Sequence, residues 1–200
     1  MKKIITLLLT IVSFSCHSEK ISPLTGIAKN YELLDETSSS ELFTKENIVP
    51  VILINGESIE FEKDKLSDIQ KKLGGDINNS GSTGWICFNS PSTSSTYWFL
   101  SDNEMQHGHL SGIAISSLDE SSACNITNKK IFISLNDLKP KTPWRKVAKT
   151  WGVKQKPKSG VLRFFSEKEM ANDFTQLNGV NYYINNGFLD GILYTQVTSN

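Results

Sequence analysis

The sequence is poor in the side chains that most often perform chemistry: its 200 residues include only three histidines and three cysteines. His17 stands alone, and the other two histidines form the pair His107-Gly108-His109. No Gly-x-Ser-x-Gly elbow is present, so a hydrolase nucleophile on a strand-to-helix turn has no sequence signature here. Gly81-Ser-Thr-Gly84 lacks the lysine and the spacing of a phosphate-binding loop and reads as an ordinary loop. Beyond the first residues, no apolar run approaches the roughly 20 residues that a membrane-spanning helix needs. An excess of one charge is also missing, since 21 basic and 21 acidic residues give a formal net charge of zero. That balance argues against a general nucleic-acid binder.

What is present begins at the amino terminus. Lys2 and Lys3 precede an apolar run from Ile4 to Val12, and Ser13-Phe14-Ser15-Cys16 follows. A basic end, a short apolar core and small residues at a cut site are the parts of a secretory signal. Residues 1–15 are therefore expected to be a signal peptide. Cleavage after Ser15 fits two routes, ordinary release or diacylglycerol attachment to Cys16. The second resembles a lipobox, although Ser13 replaces the usual leucine and Phe14 is bulky. We expect lipidation at Cys16, a membrane contact through that anchor, and a place in the bacterial envelope, the outer membrane facing the periplasm. With Cys16 so used, Cys87 and Cys124 remain as one pair in an oxidising compartment, where a disulfide is expected. Two reduced, buried thiols are the alternative.

The polar stretch that includes Ser22-Pro23, Gly26 and Glu36-Thr-Ser-Ser-Ser-Glu41 has little periodicity, and 16–46 is read as a flexible tether. The folded body then opens with Val49 to Ile54, Asn55-Gly56, and Glu57 to Phe61, the pattern of a β-hairpin closed by a type I′ turn. A short helix follows, with Asp64 as its expected cap, Leu66, Ile69 and Leu73 on one face, and Gly74-Gly75 as its stop. Strands are expected at 84–88, 96–100 and 110–116. The same order returns later. Ile131 to Leu135 reads as a strand, Thr142-Pro143 as a helix start, Trp144, Val147 and Trp151 as an apolar face, and Gly152 as a stop. Gly84-Trp-Ile-Cys-Phe88 falls near Gly160-Val-Leu-Arg-Phe164. Gly108-His-Leu-Ser-Gly112-Ile113 corresponds to Gly187-Phe-Leu-Asp-Gly191-Ile192. Three matches in one order point to an internal repeat.

The expected fold is therefore α+β: two tandem units, each a short helix packed on a small antiparallel sheet, at 47–118 and 131–200 with a connector at 119–130. Tandem units with a Leu-x-x-Ile-x-x-x-Leu-Gly helix before an antiparallel sheet resemble the β-lactamase-inhibitor-protein architecture. That architecture is in turn similar to the single-unit outer-membrane assembly lipoprotein BamE (SmpA). The motif stands at Leu66, Ile69, Leu73 and Gly74, and again at Trp144, Val147, Trp151 and Gly152. The resemblance implies a non-enzymatic protein whose sheet grips another protein. It departs in its cysteines, because Cys87 and Cys124 would tie the first unit to the connector.

Candidate binding residues come from charge distribution. Lys139, Lys141, Arg145, Lys146, Lys149, Lys154, Lys156 and Lys158 fall in one stretch without an acid. A solvated face explains such a run; a basic surface for an acidic partner is the sharper reading. His107 and His109 can point one way and share a metal with Glu104, but no further ligand stands at suitable spacing, so a solvated loop and no metal are expected. No catalytic residue and no cofactor is assigned. The functional expectation is an envelope protein-binding module acting as an inhibitor, immunity or assembly factor on another envelope or secreted protein. The alternatives are a peptidoglycan-associated structural lipoprotein and a wall- or lipid-acting hydrolase that uses carboxylates.

Overall fold

The computed structural model describes residues 24–32, 41–103, 107–119, 123–155 and 160–199. Cys16, Glu104, Lys156 and Lys158 lie outside the described residues. Short runs of β-branched and aromatic residues between turn signals dominate the chain, and the result is mainly β. After a 3-10 segment at Gly26–Tyr31 come β1 (Glu41–Phe43), β2 (Val51–Ile54), β3 (Glu57–Ser58), α1 (Leu66–Leu73) and β4 (Asn78–Ser80). Next are β5 (Thr83–Ser90), β6 (Ser95–Asp102), β7 (Gly112–Ser117), β8 (Asn125–Ile126) and β9 (Ile131–Ser134). The chain finishes with α2 (Trp144–Trp151), β10 (Val161–Glu169), β11 (Thr175–Asn185) and β12 (Phe188–Ser199).

The expectation of two α+β units, each with its own helix-covered sheet, is corrected by the strand pairing. Nine strands form one mixed sheet in the order β1-β10-β11-β12-β7-β6-β5-β4, with β8 alongside β5. The two expected halves meet at β7 and β12, which pair antiparallel from Gly112↔Thr195 to Ser116↔Gly191. The second, small sheet has the order β3-β2-β9, so it too draws strands from both halves. Two pairings, β1 with β10 and β5 with β8, are parallel. The physical reason is that an isolated three-stranded unit leaves a row of unpaired N–H and C=O groups at its edge. Joining edge to edge satisfies both rows and gives one core.

Local signals hold within that architecture. Asn55 and Gly56 both have positive φ, 53° and 87°, which is the type I′ geometry between β2 and β3. The start of α1 differs from the expected one. Asp64 Oδ2 accepts the Glu60 N–H at 2.7 Å in the turn before the helix. Asp68, inside the first turn, accepts the Lys65 N–H at 3.2 Å instead. Gly152 closes α2 in the left-handed conformation, φ 64°.

One face of the large sheet carries the main core. Ile86, Phe88, Phe99, Ile113, Leu162, Val180, Tyr182, Ile192 and Tyr194 meet the small sheet through Ile52, Ile54 and Ile131, and the helices through Leu66, Ile69 and Val147. Each such side chain contributes about 1.5–3 kcal/mol on full burial. Trp151 stacks on Phe164 with centroids 4.2 Å apart, and Trp144 packs at the margin of the same core. Both helices are tied to the sheet by matching bonds. The Leu66 N–H donates to Gly108 O and the Trp144 N–H to Gly187 O, at 3.0 and 2.9 Å.

The opposite face carries a second core of Trp85, Cys87, Trp98, Leu100, Ala114 and Leu193. Leu24 and Ala28, in the stretch expected as a tether, are buried in it, with Ile27 and Tyr31 packed alongside. The approach is close because β7 and β12 present glycines there. A Cβ on Gly112 would stand 2.6 Å from the Tyr31 ring, and one on Gly191 2.5 Å from Ile27 Cγ1. Cys87 and Cys124 form a disulfide, which holds the segment leading into β8 against β5.

Candidate functional site

A cavity of about 880 Å³ lies between the large sheet and the segments 45–52 and 58–63. Its floor follows from the register of β10, β11 and β12. The core-facing positions form cross-strand rows, and the first two are apolar: Leu162, Tyr182 and Ile192, then Phe164, Val180 and Tyr194. With the same parity the next rows turn polar: Ser166, Asn178 and Gln196, then Lys168, Gln176 and Thr198. The strands thus run past the core, and the overhang carries hydroxyls and amides. Ser166, Asn178 and Gln196 are nevertheless buried, at 7%, 5% and 7% exposure.

Glu62 closes one side of this overhang. Its φ of 60° is unusual for a residue with a side chain. The turn is held by the Glu62 N–H donating to Leu110 O at 2.8 Å. The carboxylate reaches across to β11 and β12. Oε1 accepts the Thr198 N–H at 2.7 Å, and Oε2 accepts the Thr198 hydroxyl at 2.7 Å, Gln176 Nε2 at 3.1 Å and Gln196 Nε2 at 3.3 Å. Four donors occupy its oxygens, so Glu62 serves as an anchor between the small-sheet layer and the end of the large sheet. Asn178 contrasts with it: its Oδ1 is buried and has no hydrogen-bond partner. The lining also includes Lys45, Lys63 and Lys168 and, besides Glu62, the carboxylates of Glu46, Glu60 and Glu167. Lys63 pairs with Glu60 on the surface.

The basic surface expected from the sequence is brought together in part. Arg145, Lys146 and Lys149 are exposed on α2, opposite the side that packs through Trp144, Val147 and Trp151. Lys139 and Lys141 are exposed in the preceding loop, and Lys154 just beyond the helix. The ion pairs among the described residues join Lys63 to Glu60, Lys71 to Asp68 and Lys72 to Glu57, so none engages this surface. The Lys146 ammonium donates to the Asp137 carbonyl at 3.4 Å. Lys139 and Lys146 also border a smaller cavity beside β9, together with the exposed Phe132.

The histidines do not converge on a metal site among the described residues. His107 is exposed, and His109 lies in the bridge that pairs it with Lys65. Four tyrosines resist ionisation. Burial pushes Tyr31 up to about 12 against the opposing bond to Ser111, and burial does the same to Tyr183. Tyr182 and Tyr194, both within the main core, are also raised by burial. The polar rows of β10 to β12 are the part of the site that sequence reasoning missed. Their signal was available as polar residues at 166, 168, 176, 178, 196 and 198, continuing the spacing of the core positions. Comparison of the chain with protein-family models, curated proteins and solved structures finds no match.

Proposed function

We propose that this chain is a non-enzymatic binding protein of the bacterial envelope, held to a membrane by lipid on Cys16 and docking another envelope or secreted protein through the outer face of α2 and its flanking loop. The observation that carries the reading is the exposed set Lys139, Lys141, Arg145, Lys146 and Lys149, which none of the ion pairs among the described residues neutralises. Five cations on one rigid helix and its neighbouring loop set up a field that speeds encounter with an acidic partner and falls with salt. A carboxylate hydrolase is less well supported, because Glu62, which lines the cavity over β10 to β12, is held by four donors rather than poised near a reacting group.

The test joins location to binding. The intact mass of the protein from membranes, before and after reduction, reports acylation at Cys16. Crosslinking in cells then compares the wild type with the Lys139→Glu, Arg145→Glu, Lys146→Glu, Lys149→Glu variant. Loss of the same crosslinked partners in the folded variant is expected. An unacylated product, or partners retained unchanged by the variant, would overturn the proposal.

A further inference from the structure

The small sheet ends on two edges of unequal character. At one, β3 is two residues long, both exposed, and its Glu57 is paired with Lys72. At the other, β9 reads Ile131-Phe-Ile-Ser134, with no charge and no proline to blunt it. The hydrogen-bond phase of β9 follows from its neighbour. The Asn55 N–H donates to Lys130 O at 2.9 Å, and Leu53 stands opposite Phe132. Antiparallel pairs alternate, so Phe132 and Ser134 bond towards β2, while the N–H and C=O groups of Ile131 and Ile133 point away from it. Among the described residues no strand takes them up. The edge opens on the cavity of about 570 Å³ beside β9, whose lining includes all four residues of the strand. Tyr97, Ile115 and Leu138 give that cavity an apolar floor. Phe132, 51% exposed, stands on the outer face with Val51. A strand laid along β9 therefore sets alternate side chains over the apolar floor and beside Phe132.

Charge indicates what that strand carries. Lys129 and Lys130 are exposed just before β9, and Lys139 and Lys146 line the cavity. Among the described residues of the lining, Asp137 is the carboxylate set against them. A second copy of this chain is a poor occupant, because β9 laid against β9 crowds the two sets of lysines together. We propose that β9 accepts an extended acidic segment of the partner as a fourth strand of the small sheet, bonded to the backbone of Ile131 and Ile133, with its carboxylates facing Lys129, Lys130, Lys139 and Lys146. This rests on the docking reading above and deepens it: α2 and its loop supply the field, and β9 supplies the directed bonds. The strand is four residues long and spans about 13 Å, so a short partner segment suffices.

The experiment adds the peptide acetyl-Glu-Glu-Val-Thr-Val-Thr-Val-Glu-Glu-amide to the full-length protein and follows amide chemical shifts and hydrogen exchange. Saturable shifts in β9 are expected, with the Ile131 and Ile133 amides at least about tenfold better protected at saturation. Methylating every nitrogen of the Val-Thr core, or replacing the glutamates by lysine, should each weaken binding at least about tenfold. Ile133→Pro removes an outward N–H without touching a bond to β2, and it should weaken binding equally in a folded protein. The methylated peptide carries the test if that variant unfolds. No saturable binding at about 1 mM peptide overturns the proposal. So does binding that leaves both amides unprotected, or that survives methylation or the exchange of glutamate for lysine. Protection of those amides in the protein alone, rising with its concentration, assigns the edge to a second copy and overturns it too. Partners that crosslink in cells and are lost in the charge-reversed α2 variant leave the docking reading standing whatever β9 does, so the two fail separately.

Discussion

Breaking the Cys87–Cys124 bond should cost this protein much of its stability, and the size of the loss follows from chain length. The bond closes a loop with a sequence separation of 37 residues. On the loop-entropy account, a cross-link over that span removes about 13 cal/mol/K from the unfolded chain, or about 4 kcal/mol at 25 °C. The native state should lose little contact when the bond opens. Cys87 is 3% exposed among Trp85, Trp98 and Leu100, and its sulfur still fills that space as a thiol. Urea unfolding with and without a reductant measures the difference directly. The midpoint should fall by an amount equivalent to about 3–4 kcal/mol, and the thermal midpoint by about 10 °C. The slope with urea should rise, because a freed chain exposes more surface on unfolding. The Cys87→Ala, Cys124→Ala double variant should match the reduced protein to within about 1 kcal/mol plus the small core loss at position 87. A change below about 1 kcal/mol, with thiol titration proving the bond present beforehand, would refute the reasoning.

Other expectations can be checked with the same protein. Gly191→Ala places a methyl group 2.5 Å from Ile27 and 2.9 Å from the Ile115 carbonyl, so it should cost about 1–3 kcal/mol and make residues 24–32 cleavable in limited proteolysis. Glu62→Ala strips the partner from Gln176, Gln196 and Thr198 and should cost about 2–3 kcal/mol in urea unfolding, with lost amide protection at the end of β12. Ile69→Ala, at a fully buried position of α1, should cost about 2–5 kcal/mol by the same measurement. Alkali should unfold the protein through its tyrosines. Tyr31 and Tyr183 are raised from 10.0 to about 12, so the stability they confer is complete below pH 10 and lost as pH rises through 12. Far-ultraviolet circular dichroism against pH should show a transition in that window, weakened in Tyr31→Phe.

Much of the local structure was legible in the sequence. Asn55-Gly56 specified a turn because few residue pairs accept two positive φ angles, and Leu66, Ile69 and Leu73 specified a helix by spacing alone. Pairing across the two halves was not legible. Gly112-Ile113 and Gly191-Ile192 look the same whether their strands are edges or neighbours, since alternation reports which face is buried and not which strand lies beside it. The burial of Leu24 and Ala28 escaped for a related reason: six residues of 3-10 helix are too short to show a period. The candidate cavity was hidden because Ser166, Asn178 and Gln196 read as surface residues when taken singly. Only the register turns them into a row.

The seating of Ile27 and Tyr31 on Gly191 and Gly112 has a consequence in time. Translation at about 5–20 residues per second delivers Gly191 roughly 10–30 s after Ile27. Until then the seat does not exist, and β12, which joins β11 to β7, has not been made. The segment at residues 24–32 must therefore wait for β12, and the large sheet cannot close before that strand is made.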